Sequence, residues 1–210
     1  MLYIVTLAFF TLAVTSFVYG WKFLGRRNYL LGIEWWIVTV SASNLVYYFL
    51  SGGTVQLSHD VSFFLDAFSR AVGFPIIAIV GLMAVTHRYK PSVLTEFALF
   101  GSGFVVAAIL IGADFVVAVK PYFYLVMWIA FATYLAYFVS RLLRVGENLQ
   151  ALGLVSVIIS TVFVAGVYDF YNIPGDDDKL IFFTIAGFVW SYAGVWLYYS
   201  YCALERAESR

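Results

Sequence analysis

The sequence predicts an all-α membrane protein: a single bundle of seven transmembrane helices, with the N-terminus outside and the C-terminus in the cytoplasm. Three observations carry this prediction. The chain has 210 residues, of which 63% are hydrophobic and only 11% charged. A soluble domain of this size does not have that balance, whereas a multi-span membrane domain does. Seven apolar stretches approach the ~20 residues that a bilayer requires. Basic residues gather on alternate connections, which sets the orientation.

The expected spans are 2–22, 29–50, 61–86, 94–117, 121–143, 149–171 and 180–203, all within one domain, 1–210. The first apolar run precedes its positive charges, Lys22, Arg26 and Arg27. A secretory signal has the reverse order, so a retained first helix is expected. The connections carry turn chemistry: Gly25-Arg26-Arg27-Asn28, Ser51-Gly52-Gly53, Lys90-Pro91-Ser92, Lys120-Pro121, Gly146-Glu147-Asn148 and Pro174-Gly175-Asp176. Nine of the twelve basic residues fall on one side: Lys22, Arg26, Arg27, Arg88, Lys90, Arg141, Arg144, Arg206 and Arg210. The other side holds Lys120 and Lys179 with Asp60, Asp114, Asp169 and Asp176–Asp178. That asymmetry puts the N-terminus outside.

The formal net charge is zero, so nothing points to nucleic acid. One cysteine, Cys202, excludes a disulfide framework and a paired-thiol metal site. The motifs of serine hydrolases, zinc proteases, phosphate-binding loops and thiol redox centres are absent, so no catalytic activity is expected.

The third span, VSFFLDAFSRAVGFPIIAIVGLMAV, is the most informative stretch. Asp66 and Arg70 lie one helical turn apart on one face. Charges at membrane depth cost several kcal/mol, so they pair and face a bundle interior or a wet cavity. Two readings stand: a ligand or relay site, or a structural ion pair that fixes helix packing. Pro75 sits where a helix interior disfavours it. Asp114, Tyr168, Asp169 and Tyr171 fall at the outer ends of spans four and six. With Asp66 and Arg70 they would form an acidic, aromatic vestibule that favours cations at its rim, while Arg70, if not fully paired, would favour an anion or a carboxylate deeper in.

Other polar groups lie at depth. Glu34 is expected to snorkel towards Arg26, Arg27 or the interface. Ser41, Ser43 and Asn44 form a patch that either bonds a neighbouring helix or lines a cavity. Aromatic residues are 20% of the chain. Most fit two interfacial belts: Trp21, Trp35, Trp36, Trp196, Tyr198, Tyr199 and Tyr201 on one side, Tyr122, Tyr124, Tyr168 and Tyr171 on the other. Trp128, Tyr134, Trp190 and Tyr192 are deeper, as pocket lining or plain packing. Small residues in spans four and seven (Gly101, Gly103, Ala107, Ala108, Gly112; Ala186, Gly187, Ala193, Gly194) would let helices approach closely.

Seven spans with short loops, Arg70 and Pro75 in the order R-A-V-G-F-P, and a fifth span reading YFYLVMWIAFATYLAYF resemble the microbial rhodopsins. The likeness covers the whole chain in layout and few motifs. It implies that the third-helix arginine and proline, here Arg70 and Pro75, flank a chromophore pocket. It also implies retinal on a lysine in mid-helix seven, and here the sequence departs. The seventh span, LIFFTIAGFVWSYAGVWLYYSYC, has no lysine; Trp190 or Ser191 occupies its middle, and Lys179 lies at its outer edge. Asp66 precedes the arginine, whereas the family's third-helix acid follows it. No covalent retinal is expected, and the sequence singles out no other cofactor.

The expected function is non-enzymatic. The chain would bind a small molecule in an outward-opening pocket at Asp66, Arg70, Asp114, Tyr168, Asp169, Trp190 and Tyr192, as a receptor- or sensor-like component of the inner (plasma) membrane. The alternatives are a transporter or channel for a small solute or protons, and a structural subunit of a membrane complex. Expected partners are the lipid bilayer, a small-molecule ligand, and a second copy or signalling partner.

Overall fold

The computed structural model describes residues 1–208; Arg210, counted above among the basic residues, lies outside them. Among the described residues there are seven long helices and no strands. All seven are long and apolar enough to cross a membrane. They are α1 (Leu2–Gly25), α2 (Tyr29–Leu50), α3 (Gln56–Thr86), α4 (Val93–Gly112), α5 (Lys120–Arg144), α6 (Asn148–Phe170) and α7 (Leu180–Glu208).

Three expected boundaries change. Helix α3 starts at Gln56, five residues before the expected span. Helix α4 stops at Gly112 and not at 117: Ala113 is extended, and Asp114–Val116 forms a separate 3₁₀ turn. Apolar Phe115, Val116 and Val117 disguised that break in the sequence. Helix α7 runs on to Glu208, because its last turns are tied down by ion pairs at the end of the bundle where the basic residues gather. There Glu205 pairs with Arg26, and Glu208 pairs with Arg141. Arg141 also donates to the Thr86 carbonyl at 2.8 Å.

Turn chemistry explains most helix starts. The Asn28 side chain accepts from the Leu31 N–H at 3.2 Å and donates to the Gly81 carbonyl at 2.8 Å, so one residue caps α2 and ties it to α3. Ser92 caps α4 through the Thr95 N–H. Pro121 occupies the first turn of α5, where a missing N–H is harmless. Gly175 takes a φ of 77°, which closes the Pro-Gly turn. Asp176 then accepts from the N–H groups of Ile181 and Phe182 at 2.9 and 2.8 Å. It is buried as a cap of α7 and is not a free loop acid.

The helices close into a ring in the order α1, α2, α3, α5, α6, α7 and back to α1. Helix α4 packs against α3 outside that ring and buries only Gly103, Ala107 and Leu110. Its other small residues, Gly101 and Gly112, meet no neighbour, so only part of the expected packing stripe is used. In α7, Gly187 and Gly194 do abut Ala8 and Trp35. Three of the expected belt aromatics, Trp35, Tyr124 and Tyr201, are core residues at 1%, 6% and 3% exposure. Trp21, Tyr122, Tyr171 and Tyr199 are exposed, as a belt requires.

Helix α3 is the central element. It is α-helical over Gln56–Phe68, widens into π-helical turns over Ser69–Ala78, and returns to α-helix over Ile79–Thr86. Pro75 lies inside the wide segment. It has no N–H to donate and its ring crowds the preceding turn, so the regular ladder cannot continue through it. Widened turns of this kind gather at functional sites. This one carries Arg70, Gly73 and Phe74.

Candidate functional site

The site is built on that wide segment. Arg70 points between α5 and α6, and its side chain is 14% exposed. Its Nη2 donates to Asp169 Oδ2 on α6. Its guanidinium carbon lies 3.9 Å from the centre of the Tyr124 ring and 4.2 Å from that of Tyr168. The planar cation is therefore held at its edge by a carboxylate and on its faces by two aromatic rings, the geometry for which arginine is suited. Asp66 Oδ2 is 3.8 Å from Nη1, within ion-pair range and beyond hydrogen-bond reach.

The expected Asp66–Arg70 pair is thus present but secondary, and Asp169 is the closer partner. The condition set for an anion preference, an incompletely paired Arg70, is not met, because Arg70 is engaged by Asp169, Tyr124 and Tyr168. Lys179 closes the cluster on the far side. It donates to the Tyr168 carbonyl at 3.2 Å and lies 5.3 Å from that ring's centre.

A cavity of about 110 Å³ opens beside this cluster. Asp66, Ser69, Arg70 and Tyr168 line its polar end, and Phe74, Trp128 and Trp190 its aromatic end. Phe74 and Trp190 are stacked with centres 4.9 Å apart; Trp128 stands perpendicular to Trp190 at 5.0 Å. The Trp128 indole N–H has no acceptor. Ser41 and Ser62 line the side wall, with the Ser41 hydroxyl donating to the Ser62 carbonyl at 3.0 Å.

Of the seven residues singled out from the sequence, the structure brings five together: Asp66, Arg70, Tyr168, Asp169 and Trp190. Two lie elsewhere. Asp114 is exposed at the start of the 3₁₀ turn after α4. Tyr192 is 40% exposed and bonds the Ser156 hydroxyl at 2.6 Å, away from the cavity lining. A residue two positions from Trp190 on a helix faces a different direction, which accounts for the difference. Tyr134 bonds Thr86 at 2.7 Å, near the basic end. Of the mid-α2 patch only Ser41 reaches the cavity; Ser43 is exposed, and Asn44 turns back to the Val40 carbonyl.

Glu34 contradicts its expectation most clearly. It does not snorkel: its exposure is 0%, and neither carboxyl oxygen has a hydrogen-bond partner. It packs onto Gly73, where an added Cβ would lie 2.2 Å from Oε1. Ser69, on the same wide segment, is close enough to influence the carboxyl without completing a hydrogen bond. Sequence reading also missed Tyr124 as a face of the Arg70 clamp and Phe74 as cavity lining. The phenylalanine follows Arg70 by four positions, so helical spacing alone could have found it.

Comparison of the chain with protein-family models, with curated proteins and with solved structures finds no match.

Proposed function

We propose that this chain is a non-enzymatic, multi-pass membrane protein that binds a small molecule in the cavity beside Arg70, as a receptor- or sensor-like component of the plasma membrane. The cavity carries the reading: a pocket with one polar end and one aromatic end, inside a helical ring, is the usual form of a small-molecule site. Its polar end lies among the acidic ends of α6 and α7. The distribution of basic residues then makes it open outward, with the N-terminus outside and the C-terminus in the cytoplasm. The layout is similar to that of the microbial rhodopsins, but α7 offers no lysine for a Schiff base, so any ligand is held without a covalent bond.

A thermal-shift screen of the purified protein against small amines, alcohols, carboxylates and lipids tests the reading. Ala186 lines the cavity, and Ala186→Phe should abolish the shifts that wild type shows. Hits that persist in this variant place the binding site elsewhere. The orientation has its own test. A cysteine at Asp177 should label from outside the cell and one at Arg144 only after permeabilisation; the opposite result reverses the bundle.

A second reading, transport of protons or a small solute, is favoured by Glu34. This carboxyl packs on Gly73 of the same wide segment, next to Phe74 of the cavity lining. Ion-pairs and acids at membrane depth are a feature of proton relays. Proton flux in proteoliposomes that is lost in Glu34→Gln would select this reading over the sensor.

A further inference from the structure

We infer that the cavity takes a small organic cation: an ammonium group seated at Asp66, carrying a short apolar body that reaches the ring of Trp190. The inference rests on the cavity reading above and adds the charge and size of the ligand.

The charge follows from how Arg70 is used. Arg70 is the only basic residue on the cavity lining, and it faces two carboxylates, Asp66 and Asp169. Its edge is bonded to Asp169 and its faces are covered by Tyr124 and Tyr168. Lys179 keeps its charge, but it sits against the Tyr168 ring, donates to the Tyr168 carbonyl and does not line the cavity. Around Arg70 two carboxylates therefore meet one cation, and the one that lines the cavity is Asp66. The Asp66 side chain is 44% exposed, against 14% for Asp169. Within a helical bundle a charge–charge attraction is far stronger than in bulk water. A ligand ammonium would give Asp66 a cation of its own, since Arg70 is bonded to Asp169. A carboxylate or phosphate would add a third negative charge beside Asp66.

The body of the ligand follows from the rest of the lining. Phe74, Trp128 and Trp190 offer aromatic faces and no charge. A cavity of about 150 Å³ in another protein is known to hold benzene; at about 110 Å³ this one limits the enclosed part of the ligand to no more than one ring or a short branched chain.

The test uses three near-isosteric probes on the full chain in lipid nanodiscs: 2-phenylethylamine, 2-phenylethanol and phenylacetate. Affinities are read by thermal shift and confirmed by quenching of tryptophan fluorescence. The amine should bind at least tenfold more tightly than the alcohol, and phenylacetate should bind more weakly than either. Asp66→Asn should remove the amine's advantage and leave the alcohol unchanged, while Asp66→Glu should retain most of it. Equal binding of amine and alcohol, tighter binding of phenylacetate, or an amine advantage that survives Asp66→Asn overturns the inference while leaving the cavity as a ligand site. Absence of binding by all three probes also overturns it. If Asp66→Asn fails to fold, the order of the three probes on the wild-type protein decides the matter alone. The cavity reading fails separately, when a broad screen gives no shift that Ala186→Phe removes.

Discussion

Arg70 and Glu34 meet the same wide segment of α3 one turn apart, and the bundle treats them in opposite ways. Arg70 is surrounded: a carboxylate at its edge, a ring on each face and a second carboxylate 3.8 Å away. Glu34 is merely enclosed: it has no exposure, no hydrogen-bond partner, and a glycine where a side chain would otherwise stand. Both are ionisable residues at the middle depths of apolar helices. The contrast shows that depth alone does not decide what a buried polar group does. At Arg70 the neighbours arrived with complementary charge from α6 and complementary faces from α5 and α6. At Glu34 the neighbouring helix supplies space and little else.

The largest effect should come from breaking the surrounded site. Arg70→Gln leaves Asp66 and Asp169 without their cation, and loss of one partner of a buried pair costs roughly 3–5 kcal/mol. The 14% exposure of the Arg70 side chain places the expected loss near the lower limit, about 3 kcal/mol. Asp169→Asn should lose a comparable amount. The double variant should be more stable than the sum of the two losses predicts, since residues in one ion-pair network are coupled. Thermal unfolding of the four proteins in detergent closes this cycle. Strict additivity would mean that the Arg70–Asp169 contact does not contribute to folding.

How much of this was legible in the sequence differs between the two sites for a physical reason. The seven helices were legible because each apolar run is punctuated by turn residues, and their number and order needed no tertiary knowledge. Asp66, Arg70 and Pro75 stood out because intramembrane charge and internal proline break a local rule. Asp169 was noticed only as one of several acids at one end. Ninety-nine positions separate it from Arg70, and no helical period links residues on different helices. Glu34 was misread because a sequence gives depth along a helix but not the rotation of that helix. Turned outward at that depth, Glu34 could have reached the interface; the structure turns it onto α3. The end of α4 was misplaced because hydropathy continues across Ala113 although the backbone does not.

An intermediate effect should follow from filling the space beside Glu34. A Cβ at Gly73 would lie 2.2 Å from Oε1 and 2.5 Å from Cδ of Glu34. The glutamate is fully buried and has little room to retreat. Overpacking of this kind costs about 1–3 kcal/mol, so Gly73→Ala should lower the melting temperature by several degrees. In a Glu34→Ala background the obstacle is gone, and the same substitution should then be close to neutral. The comparison separates contact with Glu34 from any preference of the wide turn itself for glycine. If Gly73→Ala is equally harmful in both backgrounds, the backbone of the π-helical segment requires the glycine, and its closeness to Glu34 is incidental.

The smallest effect should also be the most telling, because its sign differs between the two sites. Glu34→Met keeps an unbranched chain of similar length and removes two oxygens that have no hydrogen-bond partner. Leaving a buried polar group unsatisfied costs roughly 1–3 kcal/mol, so replacing it with an apolar group of similar shape should stabilise the bundle, by about 1 kcal/mol once imperfect packing of the thioether is allowed for. Arg70→Met makes the same kind of change, from an ionisable side chain to a flexible apolar one, and should be strongly destabilising, because it strands two carboxylates. A paired measurement of melting temperature, wild type against each variant in the same lipid, reads both signs at once. Loss of stability in Glu34→Met would show that Glu34 has a partner in the membrane, a water or a cation, and that the enclosed site is satisfied in its own way. A gain would show that the carboxyl is kept at the expense of stability. It would then be kept for what it does, and the proton-flux measurement on Glu34→Gln becomes the experiment that says what that is.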